Sequence, residues 1–159
     1  MATTLSNATL TVTLTESINL NGSDQGSTNT LSIDEVNEVY KRIVTVTTNE
    51  VEILAMDTAI AGGTFDTSKV MYIRITNKDN ANHAILTFKS VGNHEFAVKL
   101  DKGQSFIYNG DIANGVAATM DADSGPLTLS LADLVNITAD ADTTEGGTSV
   151  DLEIFVACK

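Results

Sequence analysis

The sequence predicts an all-β protein, an antiparallel β-sandwich of jelly-roll-like order with very little helix. Three observations predict it. Apolar and polar residues alternate with period two in one segment after another. Thr and Val are abundant, Trp is absent and Pro126 is the only proline. Turn-forming clusters separate the alternating segments at intervals of about ten residues, as in sandwiches and barrels. The physical link is direct: successive strand side chains point to opposite faces, so alternation turns one face toward a core. Branched side chains pack well on a pleated surface and lose rotamer freedom in a helix.

The elements follow in chain order. Residues 1–7 read as a flexible tail or an arm exchanged between subunits. Leu10, Val12 and Leu14 alternate with Thr9, Thr11, Thr13 and Thr15, which is a strand, and the cluster 21–26 with its Asn-Gly pair is a turn. Ser32 followed by Glu35 has the look of a capping box, so residues 32–39 are expected to hold a short helical turn. Strands are then expected over 40–47 and 50–56, with a glycine turn at 61–63. Val70, Tyr72 and Arg74 alternate with Met71, Ile73 and Ile75, and Ala84, Leu86 and Phe88 with His83, Ile85 and Thr87. The polar run 77–82 between those two strands reads as a hairpin connection. Strands at 95–100, 104–108 and 127–131 come next, and residues 131–134 are a second candidate helical turn. Val150, Leu152, Ile154 and Val156, alternating with Asp151, Glu153, Phe155 and Ala157, close the chain.

At 159 residues this is one domain, 1–159, able to bury about 70% of its unfolded surface without a metal or disulfide. Cys158 is the single cysteine, so no internal disulfide forms. The first residues carry no basic segment followed by an apolar one, so no secretory signal is expected, and folding in a cytoplasm is. No apolar run reaches membrane-span length. A net charge of −12 and a pI near 4.3 exclude a protein that tracks phosphates or anionic membranes with clustered cations.

Candidate catalytic and metal residues are few. His83 and His94 lie at strand edges without the short spacing of zinc motifs, and Cys158 reads as a packed thiol. No nucleophile elbow, HExxH pair, P-loop or dinucleotide fingerprint occurs. Asp121 with Asp123, and Asp140 with Asp142, each set two carboxylates two residues apart, a spacing that lets both reach one hard cation. Neither continues as a calcium loop, so both are expected to be solvated acidic loops. No enzyme, cofactor or metal is expected.

From Tyr72 the chain reads Tyr-Ile-Arg-Ile-Thr-Asn, and from Phe96 it reads Phe-Ala-Val-Lys-Leu-Asp-Lys-Gly-Gln-Ser-Phe. This resembles a recurrent module of tailed-phage virion structural proteins, especially those of marine phages. There such a strand meets a hairpin, and a later Leu-x-x-Gly-x-Ser-Phe closes the sheet. Residues 20–22, 27–30, 37–44 and 150–157 resemble the same family, so the likeness covers most of the chain. It implies a virion location, assembly in the host cytoplasm and a capsid decoration (cement) role, with the major capsid protein or another virion protein as partner. It also implies a homo-oligomer, with a trimer favoured. It carries over no catalytic residue. The alternatives are a tail, neck or fibre component and a carbohydrate-binding sandwich module.

Two further expectations concern surfaces. Tyr40, Arg42, Val44 and Val46 share one strand face, and Val39, Lys41 and Ile43 share the other. Both faces are partly apolar, so one is expected inside the sandwich and the other against a neighbour. Charge is also uneven. Residues 1–65 net −6 and residues 103–159 net −8, whereas residues 66–102 net +2 and hold six of the nine basic residues. The central segment is therefore expected to form a basic docking face through Arg74, Lys78, Lys89 and Lys99.

Overall fold

A computed structural model describes residues 6–57, 63–91, 94–110, 117–118, 132–142 and 146–159. Their strands are β1 (Ala8–Thr15), β2 (Asn19–Leu20), β3 (Ser23–Asp24), β4 (Thr28–Val36), β5 (Glu38–Thr47), β6 (Val51–Asp57), β7 (Thr64–Asp66), β8 (Val70–Asn77), β9 (His83–Ser90), β10 (Glu95–Leu100), β11 (Ser105–Asn109), β12 (Ala117–Ala118), β13 (Ala132–Asp142) and β14 (Ser149–Cys158). No helix occurs among the described residues. The expected all-β antiparallel sandwich is what the chain builds.

Two sheets face each other. One runs β11-β8-β14-β5; the other runs β10-β9-β13-β6-β7, with β12 beside β13 and only the β6–β7 pair parallel. The alternation read from sequence decides what lies between them. Val150, Leu152, Ile154, Val156 and Cys158 point inward from β14, and Ala84, Leu86 and Phe88 meet them from β9. Phe88 stacks on Phe96 of its own sheet, with centroids 4.6 Å apart, and reaches Phe106 of the facing sheet at 4.8 Å. At the opposite side Tyr40 meets Phe65 edge-on at 5.3 Å, which again joins the two sheets. These aromatic bridges hold the layers in register beyond the area they bury.

The segment 77–82 is not a hairpin. β8 and β9 lie in different sheets, so the chain arches across the end of the sandwich there, and it arches back between β10 and β11. Asn77 fastens the two crossings together. Its fully buried amide donates to the carbonyls of Asn82 and Leu100, both at 3.0 Å, and its backbone pairs with Gln104 and Gly103. A polar side chain survives at 0% exposure only because its donors are matched in this way.

The two expected helical turns are strands. Residues 32–36 belong to β4, which pairs with β1 along most of its length, and residues 132–134 open β13. Ser32 and Glu35 cap nothing. A β-bulge falls between the Ala8–Val36 and Leu10–Ile33 pairs, and Glu35 there takes a φ of 62°. The expected strand 127–131 lies outside the described residues, as do residues 1–5 of the proposed arm.

β1 and β4 form a sheet of their own, a two-stranded ribbon tipped by the β2–β3 hairpin. Asn21 and Gly22, with φ of 52° and 82°, make its end turn, the left-handed pair that an Asn-Gly hairpin requires. The ribbon joins the sandwich through Asn37, whose N–H donates to the Cys158 carbonyl.

Candidate functional site

The ribbon has two unlike faces, because over most of its length the register places like against like; the outermost rung departs from this, with Leu14 facing Asn29. Leu10 pairs with Ile33 and Val12 with Leu31, whereas Thr11 pairs with Ser32, Thr13 with Thr30 and Thr15 with Thr28. One face is apolar and the other is a ladder of hydroxyls. The half of the apolar face nearest the sandwich is seated: Leu10, Val12, Ile33 and Val36 pack on Met71, Tyr72, Phe155 and Ala157. These belong to the outer face of the four-stranded sheet. A register shift between Ala157 and Cys158 leaves Met71 as the extra residue of a bulge, which turns its side chain outward to join Tyr72. Tyr72 meets Phe155 edge-on at 6.0 Å, and burial pushes its phenol pKa up against the pull of Arg74.

The other half overhangs. Leu14 is 53% exposed and Leu31 39%, and towards the tip Ile18 and Leu20, outside the β1–β4 pairing, are 54% and 59% exposed. A void of about 440 Å³ opens beside the seated half, lined by Leu31, Ile33, Glu35, Met71, Asn109 and Lys159 among others. The same outer sheet face leaves Val39 and Ile43 of β5 at 55% and 62% exposure. Its centre is an ion network. Glu153 takes Arg74 at 2.6 Å and Lys41 at 3.4 Å. The Arg74 hydrogen bond, seconded by Lys41, holds the Glu153 carboxyl below its usual range despite some desolvation.

The four cations expected to form one docking face are scattered. Arg74 lies on the outer face of the four-stranded sheet, bonded to Glu153 and Thr76. Lys89 lies on the outer face of the opposite sheet, paired with Glu50 at 2.8 Å and Glu95 at 3.6 Å. Lys99, on β10 of that sheet, meets Asp101 at 3.2 Å, and Lys78 is exposed in the arch after β8. The physical reason is the arch at 77–82. It sends the central segment into two sheets, so neighbours in sequence part company. Reversing Arg74 or Lys89 would set like charges against carboxylates already bonded to them.

The two faces of β5 separate as the alternation implies. Tyr40, Val44 and Val46 pack into the core, Arg42 donates to the Ile53 carbonyl at 2.5 Å, and Val39, Lys41 and Ile43 face out. Arg42 also lies 5.3 Å from the Tyr40 ring centre, at the mouth of a cleft of about 380 Å³ between β5 and the β6–β7 edge. Cys158 lines that cleft with its thiol pushed up to about 12, chiefly by burial. Such a thiol stays protonated and unreactive.

Of the remaining candidates, His83, Asp140 and Asp142 are brought together. Asp140 and Asp142 are not in a loop but on one face of β13, where His83 meets Asp142 at 3.2 Å. Burial, then Glu50 and Asp142, raise the Asp140 carboxyl. Among the described residues no three His, Cys, Asp or Glu side chains are grouped to hold a metal. Asp121 and Asp123 lie outside the described residues.

The feature the sequence reading missed is the ribbon's length and its overhang. A signal was present: the Leu10-Val12-Leu14 alternation is mirrored by Leu31 and Ile33 about the turn at Asn21-Gly22. The capping-box look of Ser32 and Glu35 concealed it. Protein-family models give no match to this chain, and a search of curated proteins gives none either.

Proposed function

We propose that this chain is a virion structural protein, a decoration (cement) protein that binds the major capsid protein on the outside of a phage head. The observation that supports it is the half-seated ribbon. A two-stranded ribbon is marginal alone in water, and a chain that leaves one apolar ribbon face overhanging is built for contact with another molecule. The strand order supports the same reading. Counting the eight main sandwich strands in sequence, one sheet runs 1-8-3-6 and the other 2-7-4-5. We read this as a jelly roll, a topology found in viral capsid and lectin domains. Fold does not by itself fix function, so the particle resemblance and the overhang carry the choice.

A tail, neck or fibre component is the second reading, and the ribbon favours it too, since an apolar N-terminal segment exchanged between subunits suits such positions. A carbohydrate-binding sandwich is the third. No aromatic platform lies exposed among the described residues to support it.

The test is to locate the chain in purified particles by cryo-electron microscopy. Density on the outer shell supports the decoration role, and density in the tail or neck moves it to the second reading. Absence from particles, together with specific glycan binding, overturns both. Because Arg74, Lys89 and Lys99 are already paired with carboxylates, attachment is expected to persist when salt shortens the Debye length from about 10 Å to about 3 Å between 0.1 and 1 M.

A further inference from the structure

We infer that the overhanging half of the ribbon is covered by a second copy of this chain, lying on that copy's outer sheet face around Val39, Lys41 and Ile43. The inference rests on the assembly role proposed above and names the partner of the ribbon.

Three observations lead to it. First, the overhang continues an interface the chain already makes. Leu10, Val12 and Ile33 show what the ribbon's apolar face packs on, namely the outer face of the four-stranded sheet. Leu14 and Leu31 extend the same apolar row, so the same kind of surface suits them. Second, that surface has an uncovered part. Val39 and Ile43 stand exposed on β5, an edge strand of the same sheet, beside the area their own ribbon occupies. The uncovered ribbon half and the uncovered sheet flank are the two sides of one repeated contact. Third, the ribbon's charge argues against other occupants. Residues 8–36 carry Glu16, Asp24, Asp34 and Glu35 and no Lys or Arg. The receiving flank is close to neutral at its centre, where Lys41, between Val39 and Ile43, already holds the Glu153 carboxylate at 3.4 Å. A nucleic acid or an anionic membrane would be repelled by that ribbon. The hydroxyl face of Thr11, Thr13, Thr15, Thr28 and Thr30 needs no cover, so a single surface completes the arm.

The single native cysteine makes the test clean, because Cys158 is buried and its thiol stays protonated. Full-length Leu14→Cys and Ile43→Cys variants are prepared separately, mixed and mildly oxidised. The expected result is a mixed cross-link between copies, about tenfold more abundant than the cross-links within either variant alone, because docking raises the local concentration of that pair. Sedimentation of the unmodified chain should give a multiple of the monomer mass. The Leu14→Ser/Leu31→Ser double variant should return it to monomer with an unchanged circular dichroism spectrum. A monomeric unmodified chain, or a mixture that yields no excess of mixed cross-link, overturns the inference. A monomer that is nevertheless found on particles sinks only the self-docking. An oligomer absent from every particle sinks only the virion role.

Discussion

β14 and β1 are both alternating strands, yet they end in opposite circumstances. β14 has β8 and β5 on its two edges, a facing sheet beneath its Leu152–Ile154–Val156 side, and the ribbon's base over Ala157. β1 has β4 on one edge only, and of its residues just Leu10 and Val12 are even half-buried. Alternation specifies which side of a strand is apolar; whether that side is covered depends on how many layers the chain can bring to it. The sandwich core is covered on both sides, whereas the ribbon's apolar face is covered over only part of its length.

Core and ribbon should therefore respond very differently to the same substitution. Leu152→Ala or Ile154→Ala removes a side chain at 0% exposure from between two sheets and is expected to cost about 2–5 kcal/mol in urea titrations. Leu14→Ala is expected to stay within about 0.5 kcal/mol in the isolated copy. Equal costs would mean that the ribbon is already covered in solution.

Asn77→Ala sharpens the contrast from the sandwich end. It leaves the Asn82 and Leu100 carbonyls without their amide donor, and an expected loss of about 3 kcal/mol follows from two buried acceptors left unsatisfied. Hydrogen exchange should show both arches loosening together while the ribbon is unaffected.

An alkaline titration separates the two regions by chemistry. Burial raises the Cys158 pKa to about 12 in the folded chain from an ordinary value of 9.0, so the unfolded thiol ionises first. Stability from this group is fully present below about pH 9 and is lost as pH rises toward 12. Burial raises Tyr72 and Tyr108 in the same direction. Denaturation midpoints measured from pH 8 to 11 should fall, and Cys158→Ala should flatten part of the fall, leaving the tyrosine share.

The smallest effect on overall stability belongs to Gly26→Ala. A Cβ there would sit 2.3 Å from the backbone carbonyl of Glu16, so the ribbon's tip must open to admit it. Proteolysis within residues 16–27 should accelerate while the sandwich's melting temperature holds. A matching drop in melting temperature would show that ribbon and core are one cooperative unit.

How much of this was legible depended on the range of the forces involved. The strands at Val70, His83, Glu95 and Val150 were plain, because alternation is local and their cores enforce it. The ribbon's second strand was not, because Ser32 and Glu35 carry a local helix-start pattern and only pairing with β1, more than twenty residues away in sequence, overrides it. The destination of the 77–82 segment was equally hidden. A polar loop between two strands looks the same whether it folds back within a sheet or crosses to another, and what decides is the burial of Asn77 against carbonyls from Asn82 and Leu100. The cations of the central segment were misplaced for that reason alone. On β5, by contrast, the two-faced pattern foretold both the packed Tyr40, Val44 and Val46 and the exposed Val39 and Ile43.

The junction at Asn37 has a mechanical consequence. β4 runs into β5 with one residue between them, and β5 is held to β14 by a ten-residue ladder from Glu38–Cys158 to Thr47–Ser149. Tension applied to the ribbon therefore enters the sandwich at Glu38 and is delivered along β5 rather than into a loose tether. Pulled along that axis, the rungs of the ladder share the load in shear, and all of them must yield nearly together. Pulled at right angles, they would open one by one. The arm is thus anchored as a lap joint is, strong along its length and weak to peeling, and its direction of strength is set by the course of a single strand.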